Sequence, residues 1–257
     1  MQIKDLNYVI VIGAGGTGSI LIPLLGRYLL SQDYHGRIII ADGDQYTESN
    51  LDRQLFAPKF SGKNKAEYQC ELLYNHIPAF QNKIIPINKF LSKQDIDEMI
   101  TDNMIIINCA DNNAIRKYVE DKCDTLQNVA HICCGNELFT GQVQASVINN
   151  GNRITSDIYK NISKFNSTND DRSEMSCEEL AKLPSGGQLI CANAMAAVLA
   201  LNYLMQITSD KFQFQDGNWL PCDSIWFNCE NHGFIQQDPI PLDFDQALER
   251  DCNCAIN

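Results

Sequence analysis

The stretch Tyr8-Val-Ile-Val-Ile-Gly13-Ala-Gly15-Gly16-Thr17-Gly18-Ser19 carries an apolar strand into a glycine-rich turn and then into an apolar helix. That order of elements is the one a nucleotide-phosphate site needs. A sharp strand-to-helix turn requires residues that tolerate positive φ, and a phosphate reaches the backbone only where no Cβ stands in its way. Gly13, Gly15, Gly16 and Gly18 supply both conditions. The helix beginning near Thr17 then turns its free N–H groups and positive dipole end towards the anion. Glycines at a strand-helix junction also serve close packing, so the assignment depends on the residues downstream.

A second apolar run, Arg37-Ile-Ile-Ile-Ala41, ends in Asp42 at about the spacing at which a βαβ unit sets an acid opposite ribose hydroxyls. The loop Asp42-Gly-Asp44-Gln-Tyr-Thr-Glu-Ser49-Asn50-Leu-Asp-Arg53-Gln54 follows. A dinucleotide dehydrogenase has no use for amides and a cation packed there, whereas a triphosphate does. The loop therefore argues for ATP over NAD. A later apolar strand, Met104-Ile-Ile-Ile-Asn-Cys109, puts Ala110-Asp111-Asn112-Asn113 at its carboxyl end, where ligands bind on open parallel sheets. Asp111 is placed to hold Mg²⁺, a hard cation that prefers carboxylate oxygen, with a helix cap as its competing duty. Lys65 falls in the first turn of a helix predicted from Lys63 to His76, and taken alone reads as a solvated lysine.

At 257 residues with 44% apolar content, the chain can bury the core of one large α/β fold. The pattern predicts a Rossmann-like doubly wound α/β sheet, mostly parallel, with antiparallel C-terminal strands. Residues 1–148 form the nucleotide-binding region, 149–186 a polar crossover loop, and 187–257 a long buried helix and closing strands. Within this frame Lys83 to Asn88 and Val129 to Cys134 read as strands, and Lys93 to Ile100 as a helix capped by Ser92. Thr140 to Ile148 reads as an antiparallel addition, and Trp219-Leu-Pro with Ser224 to Cys229 as a closing pair. The net charge of −12 argues against nucleic acid and anionic membranes as partners. Eleven cysteines, an odd number, and no signal-peptide pattern point to a reducing cytoplasm. The apolar run from Gln188 to Gln206 approaches membrane-spanning length, but it carries Asn193 and Asn202 and lacks basic flanks. It reads as a buried helix.

Taken together, Gly13-Ala-Gly-Gly-Thr-Gly18, Asp42, Ser49-Asn50-x-x-Arg53-Gln54, Lys65 and Asp111 resemble the adenylation motifs of the ThiF/MoeB and ubiquitin-activating-enzyme superfamily. The resemblance covers about the first two-thirds of the chain and the long helix after Gly187, and the compact form is similar to short ThiF-like proteins of the PRTRC mobile-element type. It implies an enzyme that binds ATP with Mg²⁺ and the C-terminal glycine tail of a ubiquitin-like or sulfur-carrier protein. The tail carboxylate attacks the α-phosphate, pyrophosphate leaves, and an acyl-adenylate forms. By the same resemblance Asp42 accepts the ribose hydroxyls, Asn50, Arg53 and Lys65 neutralise the triphosphate, and Asp111 carries Mg²⁺.

Many members of the superfamily pass the activated tail to a cysteine, and Cys177 is the equivalent here. Ser176 and Glu179 fit a capping box around it, and the adjacent acids Glu178 and Glu179 oppose the helix dipole's effect on the thiol. A homodimer is also implied. The chain departs from the pattern in having no Cys-x-x-Cys pair for structural zinc. It also has no arginine before Gly13 of the kind that reaches the phosphates from the other subunit of bacterial relatives, so either Arg153, Arg172 or Lys4 does that work or the step is different. Competing functions are an adenylating dehydratase of a modified tRNA base, an NAD-dependent oxidoreductase, and an inactive binding scaffold.

Overall fold

The computed structural model describes residues 1–155, 158, 189–209, 224–230 and 233–237. Three short runs of aliphatic residues form the centre of the sheet: β1 (Tyr8–Ile12), β2 (Arg37–Ala41) and β4 (Met104–Asn108). Continuous apolar runs of this kind suit parallel strands covered on both faces. With β3 (Ile84–Ile87), β5 (Val129–Asn136), β6 (Thr140–Asn149), β7 (Asn152–Arg153), β8 (Ser224–Asn228) and β9 (Gly233–Gln237) they make one sheet of order β3-β2-β1-β4-β5-β6-β8-β9, with β7 beside β6. The first five strands of that order are parallel, and every pairing from β5 through β9 is antiparallel. The chain leaves β1 towards β2 and β3, then returns to β1's other side as β4. The carboxyl ends of β1 and β4 thus form the switch point at which such sheets open a crevice.

Among the described residues five helices cover the sheet: α1 (Gly16–Ser31), α2 (Lys65–His76), α3 (Lys93–Met99), α4 (Asn113–Cys123) and α5 (Ile190–Thr208). The strand period of two divides the core between them. Val9, Val11, Ile38 and Ile40 pack with α1, α2 and α5, while Ile10, Ile12, Ile39 and Ile106 pack with Ile96, Ile100 and Val119 on the α3 and α4 side. Helix α5 is long and apolar enough to cross a membrane by length and composition alone. Here it lies against α1, β5 and β6, and buries Ala192, Ala196, Ala197, Ala200, Tyr203 and Leu204.

Several boundaries differ from those read in the sequence, each for a local reason. Helix α2 starts at Lys65 because the Asn64 side chain caps it, accepting the Glu67 N–H at 3.1 Å. The crossover does not begin at residue 149: Asn150 and Gly151, at φ 49° and 73°, turn β6 straight into β7. Positive φ at both central residues is what an Asn-Gly hairpin turn requires. The expected closing pair joins Trp219-Leu-Pro with Ser224 to Cys229; β8 pairs with β9 on one side and with β6 on the other. Trp219-Leu-Pro lies outside the described residues, as does most of the polar crossover. Ser92 caps α3 as expected, in a reciprocal box with Asp95.

Strand β3 closes one edge of the sheet. The carbonyls of Lys83 and Ile87 accept from Ile38 and Asp42 of the neighbouring strand, so Pro86 between them directs its donorless nitrogen towards the open side.

Candidate functional site

The glycine turn is held down by its surroundings at three points and left open at a fourth. Gly13 has φ +91° and donates its N–H to the Ala41 carbonyl at 2.8 Å. A Cβ there would sit 2.8 Å from the Ala110 nitrogen, one on Gly18 2.0 Å from the Gly13 oxygen, and one on Gly16 2.4 Å from the Asn193 amide. Packing alone explains these three glycines. Gly15 is different, since a Cβ would meet nothing nearer than Gln54 Nε2 at 3.7 Å. Gly15 is also the N-cap of α1, where it supplies no side-chain cap to the helix's first N–H groups. Thr17 is turned inward, its hydroxyl 3.3 Å from the side-chain oxygens of both Asn136 and Asn193.

Asp42 follows β2 with both carboxylate oxygens occupied, Oδ2 by the Ala14 N–H at 2.6 Å and Oδ1 by the Asp44 N–H at 2.8 Å. It braces the turn as well as lying beside it. Burial raises its pKa above the ordinary aspartate range, although Lys65 and the two amides pull the other way. Lys65 is not the solvated lysine its helix position suggests. It is 1% exposed, and its Nζ lies 3.0 Å from Asp44 Oδ2. The Asn64 amide fixes this corner by donating to the carbonyls of Asp42 and Asp44 at 2.9 and 3.0 Å.

The loop after β2 folds over the turn through a one-turn 3-10 helix at Glu48–Asn50, boxed by Thr47 and Asn50. Arg53 is buried, and its Nη1 donates to the Ser49 carbonyl at 2.7 Å and to Asp52 at 3.0 Å. Three buried polar atoms of this loop have no hydrogen-bond partner among the described residues: Asn50 Nδ2, Arg53 Nη2 and Gln54 Oε1. Buried orphans of this kind are uncommon and costly, and an external ligand is one of the things that explains them.

Asp111 lies beyond β4 with its carboxylate exposed. The cap of α4 falls to Asn112, which accepts the Ile115 N–H at 3.0 Å, so Asp111 is spared that duty. Its nearest cation is Arg116, with Nη2 3.9 Å away. Arg116 was not singled out from the sequence. It ties this corner together by donating to the carbonyls of Ala110 (3.1 Å) and Cys134 (2.8 Å) and to Asn113 Oδ1 (3.2 Å). Phe90 is a second omission. It is 72% exposed, and its ring lies where a Cβ on Gly43, between Asp42 and Asp44, would fall at 2.6 Å.

The structure therefore gathers the glycine turn with Asp42, Asp44, Asn50, Arg53, Gln54 and Lys65, and sets Asp111 at the next strand end. It separates the substitutes considered for the absent N-terminal arginine. Arg153 pairs with Glu120 at 2.9 Å and with Asp124, and sits opposite Ile148, which itself pairs with the first residue of β5. That is the amino end of the parallel strands, away from the crevice, and Lys4 precedes β1 at the same end. Arg172 and Cys177 lie outside the described residues.

Comparison with known proteins bears on this arrangement. A family model described as the ThiF family matches residues 2–234. The ubiquitin-activating enzyme E1 1 of Candida albicans is 32% identical over 123 residues, covering 45% of this chain and 12% of that protein. The molybdopterin-synthase adenylyltransferase of Escherichia coli is 29% identical over 122 residues, covering 47% of this chain and 46% of its own. The chain thus spans less than half the length of these curated relatives. Among solved structures, E. coli MccB with AMPCPP and MccA superposes with a TM-score of 0.65 at 19% identity, over 90% of this chain and 63% of MccB. PaaA does so at 0.64 and 15% identity, over 93% of this chain and 66% of its own. These two establish likeness of fold.

Proposed function

The chain belongs to the ThiF family, and from that premise we propose that it adenylates the C-terminal carboxylate of a small protein, using ATP. The observation that carries the reading is the set of unpartnered buried atoms, with donors on Asn50 and Arg53, in the loop folded over a turn that is open at Gly15. Phosphate oxygens are the acceptors those donors lack, and the uncapped amino end of α1 adds backbone N–H groups to the same anion. Asp42 lies where ribose hydroxyls would be met, and Phe90 beside it offers an apolar face to a purine.

In the reaction a carboxylate oxygen bonds to the α-phosphorus, the bond from that phosphorus to the bridging oxygen of the β-phosphate breaks, and pyrophosphate leaves. Little covalent work falls to the protein. Its residues contribute by orienting the phosphates and by neutralising charge that grows in the transition state. Asp111, exposed and free of the helix cap, would hold Mg²⁺, which supplies further neutralisation of phosphate charge when bound. The carboxylate belongs to a ubiquitin-like or sulfur-carrier protein with a terminal glycine, and in a second step the Cys177 thiolate bonds to the acyl carbon of the adenylate, the bond from that carbon to the phosphate oxygen breaks, and AMP leaves. The protein acts in the cytoplasm as a homodimer, for which Val198 and Met205 on the outer side of α5 offer an apolar stripe.

The test is pyrophosphate exchange with Mg²⁺, ATP and glycine-ended carrier proteins. Exchange that depends on the carrier and is lost in Arg53→Ala is expected. Tight binding of NAD in place of ATP would overturn the reading.

A further inference from the structure

Asn193 is wholly buried in the first turns of α5, on a face otherwise lined by Ala192, Ala196 and Ala197. Its side-chain oxygen accepts from Asn136 Nδ2 at 2.8 Å and faces the Thr17 hydroxyl at 3.3 Å, while its Nδ2 donates to the Arg53 carbonyl at 3.2 Å. The same amide fills the space where a Cβ on Gly16 would project, at 2.4 to 2.6 Å. Four segments far apart in the chain meet on this one group: the amino end of α1, the loop bearing Arg53, the end of β5, and α5 itself.

Two of these four are the phosphate-binding elements. Gly16 and Thr17 begin α1, whose first N–H groups are uncapped, and Arg53 carries the unpartnered Nη2. No hydrogen bond from Asn193 reaches Asp42, Gly43 or Phe90 on the nucleoside side. We infer that Asn193 is a positioning residue which fixes the spacing between the amino end of α1 and the Arg53 loop, and thereby sets the site's preference for a polyphosphate over a monophosphate nucleotide. The inference rests on the nucleotide reading above. Its physical basis is that an amide satisfies a donor and an acceptor at once. An alanine would take this partner from Asn136 Nδ2 and from the Arg53 carbonyl in a buried place, leaving Thr17 only Asn136, and the two elements would be free to drift apart. A displacement of an ångström at a phosphate contact is enough to cost a large part of the binding it provides.

The experiment measures ATP and AMP affinities by calorimetry, with Mg²⁺ and the whole chain, beside thermal melting. It uses the wild type, Asn193→Ala, Gly16→Ala and the double variant. Asn193→Ala is expected to weaken ATP relative to AMP by about tenfold or more. Gly16→Ala should lower the melting temperature through its clash with Asn193. The double variant should regain much of that loss, because the clash is gone, yet keep the reduced ATP-to-AMP ratio. An unchanged ratio in Asn193→Ala, or a ratio that recovers together with melting temperature in the double variant, would mean Asn193 acts only through packing and would overturn the inference. If Asn193→Ala does not fold, Asn193→Ser, which keeps a polar group for Asn136, is judged on the same ratio. A wild type that binds AMP and ATP equally also overturns it, whereas a wild type that binds neither removes the nucleotide reading first.

Discussion

The Lys65 ammonium lies 3.0 Å from the Asp44 carboxylate, with the lysine side chain 1% exposed and the aspartate 22%. The pair has a dry partner and a partly wet one, so breaking it is costly in either direction but not equally. Removing one member of a buried ion pair typically costs about 3–5 kcal/mol, less where the survivor can be hydrated. Lys65→Met should therefore lower stability by about 2–3 kcal/mol, and Asp44→Ala by less, since the Asp42 carboxyl, on which the lysine also acts, stays beside it. In a double-mutant cycle read by urea unfolding, the combined variant should lose less than the sum. Strict additivity would show that the pair contributes nothing to the fold.

Gly15 and Gly18 should separate binding from folding. Gly15→Ala meets no atom within 3.7 Å, so its melting temperature should stay near that of the wild type while ATP affinity falls. Gly18→Ala would press a methyl to 2.0 Å from the Gly13 oxygen and should fail to give folded protein. Unimpaired ATP binding by a well-folded Gly15→Ala would remove the turn from the phosphate site.

Arg53→Met deletes a buried Nη2 that has no partner, together with bonds to Ser49 and to a largely exposed Asp52. The losses and the relief nearly offset, so stability should change by no more than about 1 kcal/mol. Pyrophosphate exchange should nonetheless fall by about 10²–10³-fold, the range for losing one charge-stabilising donor. A variant as active as the wild type would show that Arg53 serves the loop alone.

Acid should expose the role of Glu120. Burial by itself would raise its pKa, but His131, Arg153 and Ser146 outweigh that and hold the carboxyl below the ordinary glutamate range. A carboxyl with a depressed folded-state pKa stabilises the fold above its unfolded-state value, about 4.3, and that contribution is lost as pH falls through the folded value. Urea midpoints of the wild type should therefore exceed those of Glu120→Gln at neutral pH and converge on them below about pH 4.3. A gap that stays constant on acidification would assign the stabilisation to hydrogen bonding that survives protonation.

The centre of the parallel half was legible in the sequence because β1, β2 and β4 are aliphatic runs, and the turn between β1 and α1 because Gly13, Gly16 and Gly18 leave no room for a side chain. Other features depended on partners that no local pattern reveals. Lys65 looks solvated until the loop after β2 brings Asp44 against it. Arg153 looks available until the Asn150-Gly151 turn folds it back onto Glu120. Asn193 stood out only as a polar interruption in an apolar helix, and its purpose became visible once Gly16, Asn136 and Arg53 converged on it. Arg116 gave no signal, since an arginine on a short helix is commonly a surface residue.

Pro86 has a consequence for how copies of this chain can associate. An unguarded outer strand is a template on which further strands stack, the route to fibrils and to exchanged arms. Beside β3 that template is missing a rung, so strand-by-strand growth is blocked at one end of the sheet. Among the described residues the opposite border is β9, Gly233–Gln237, whose sequence has no such gap.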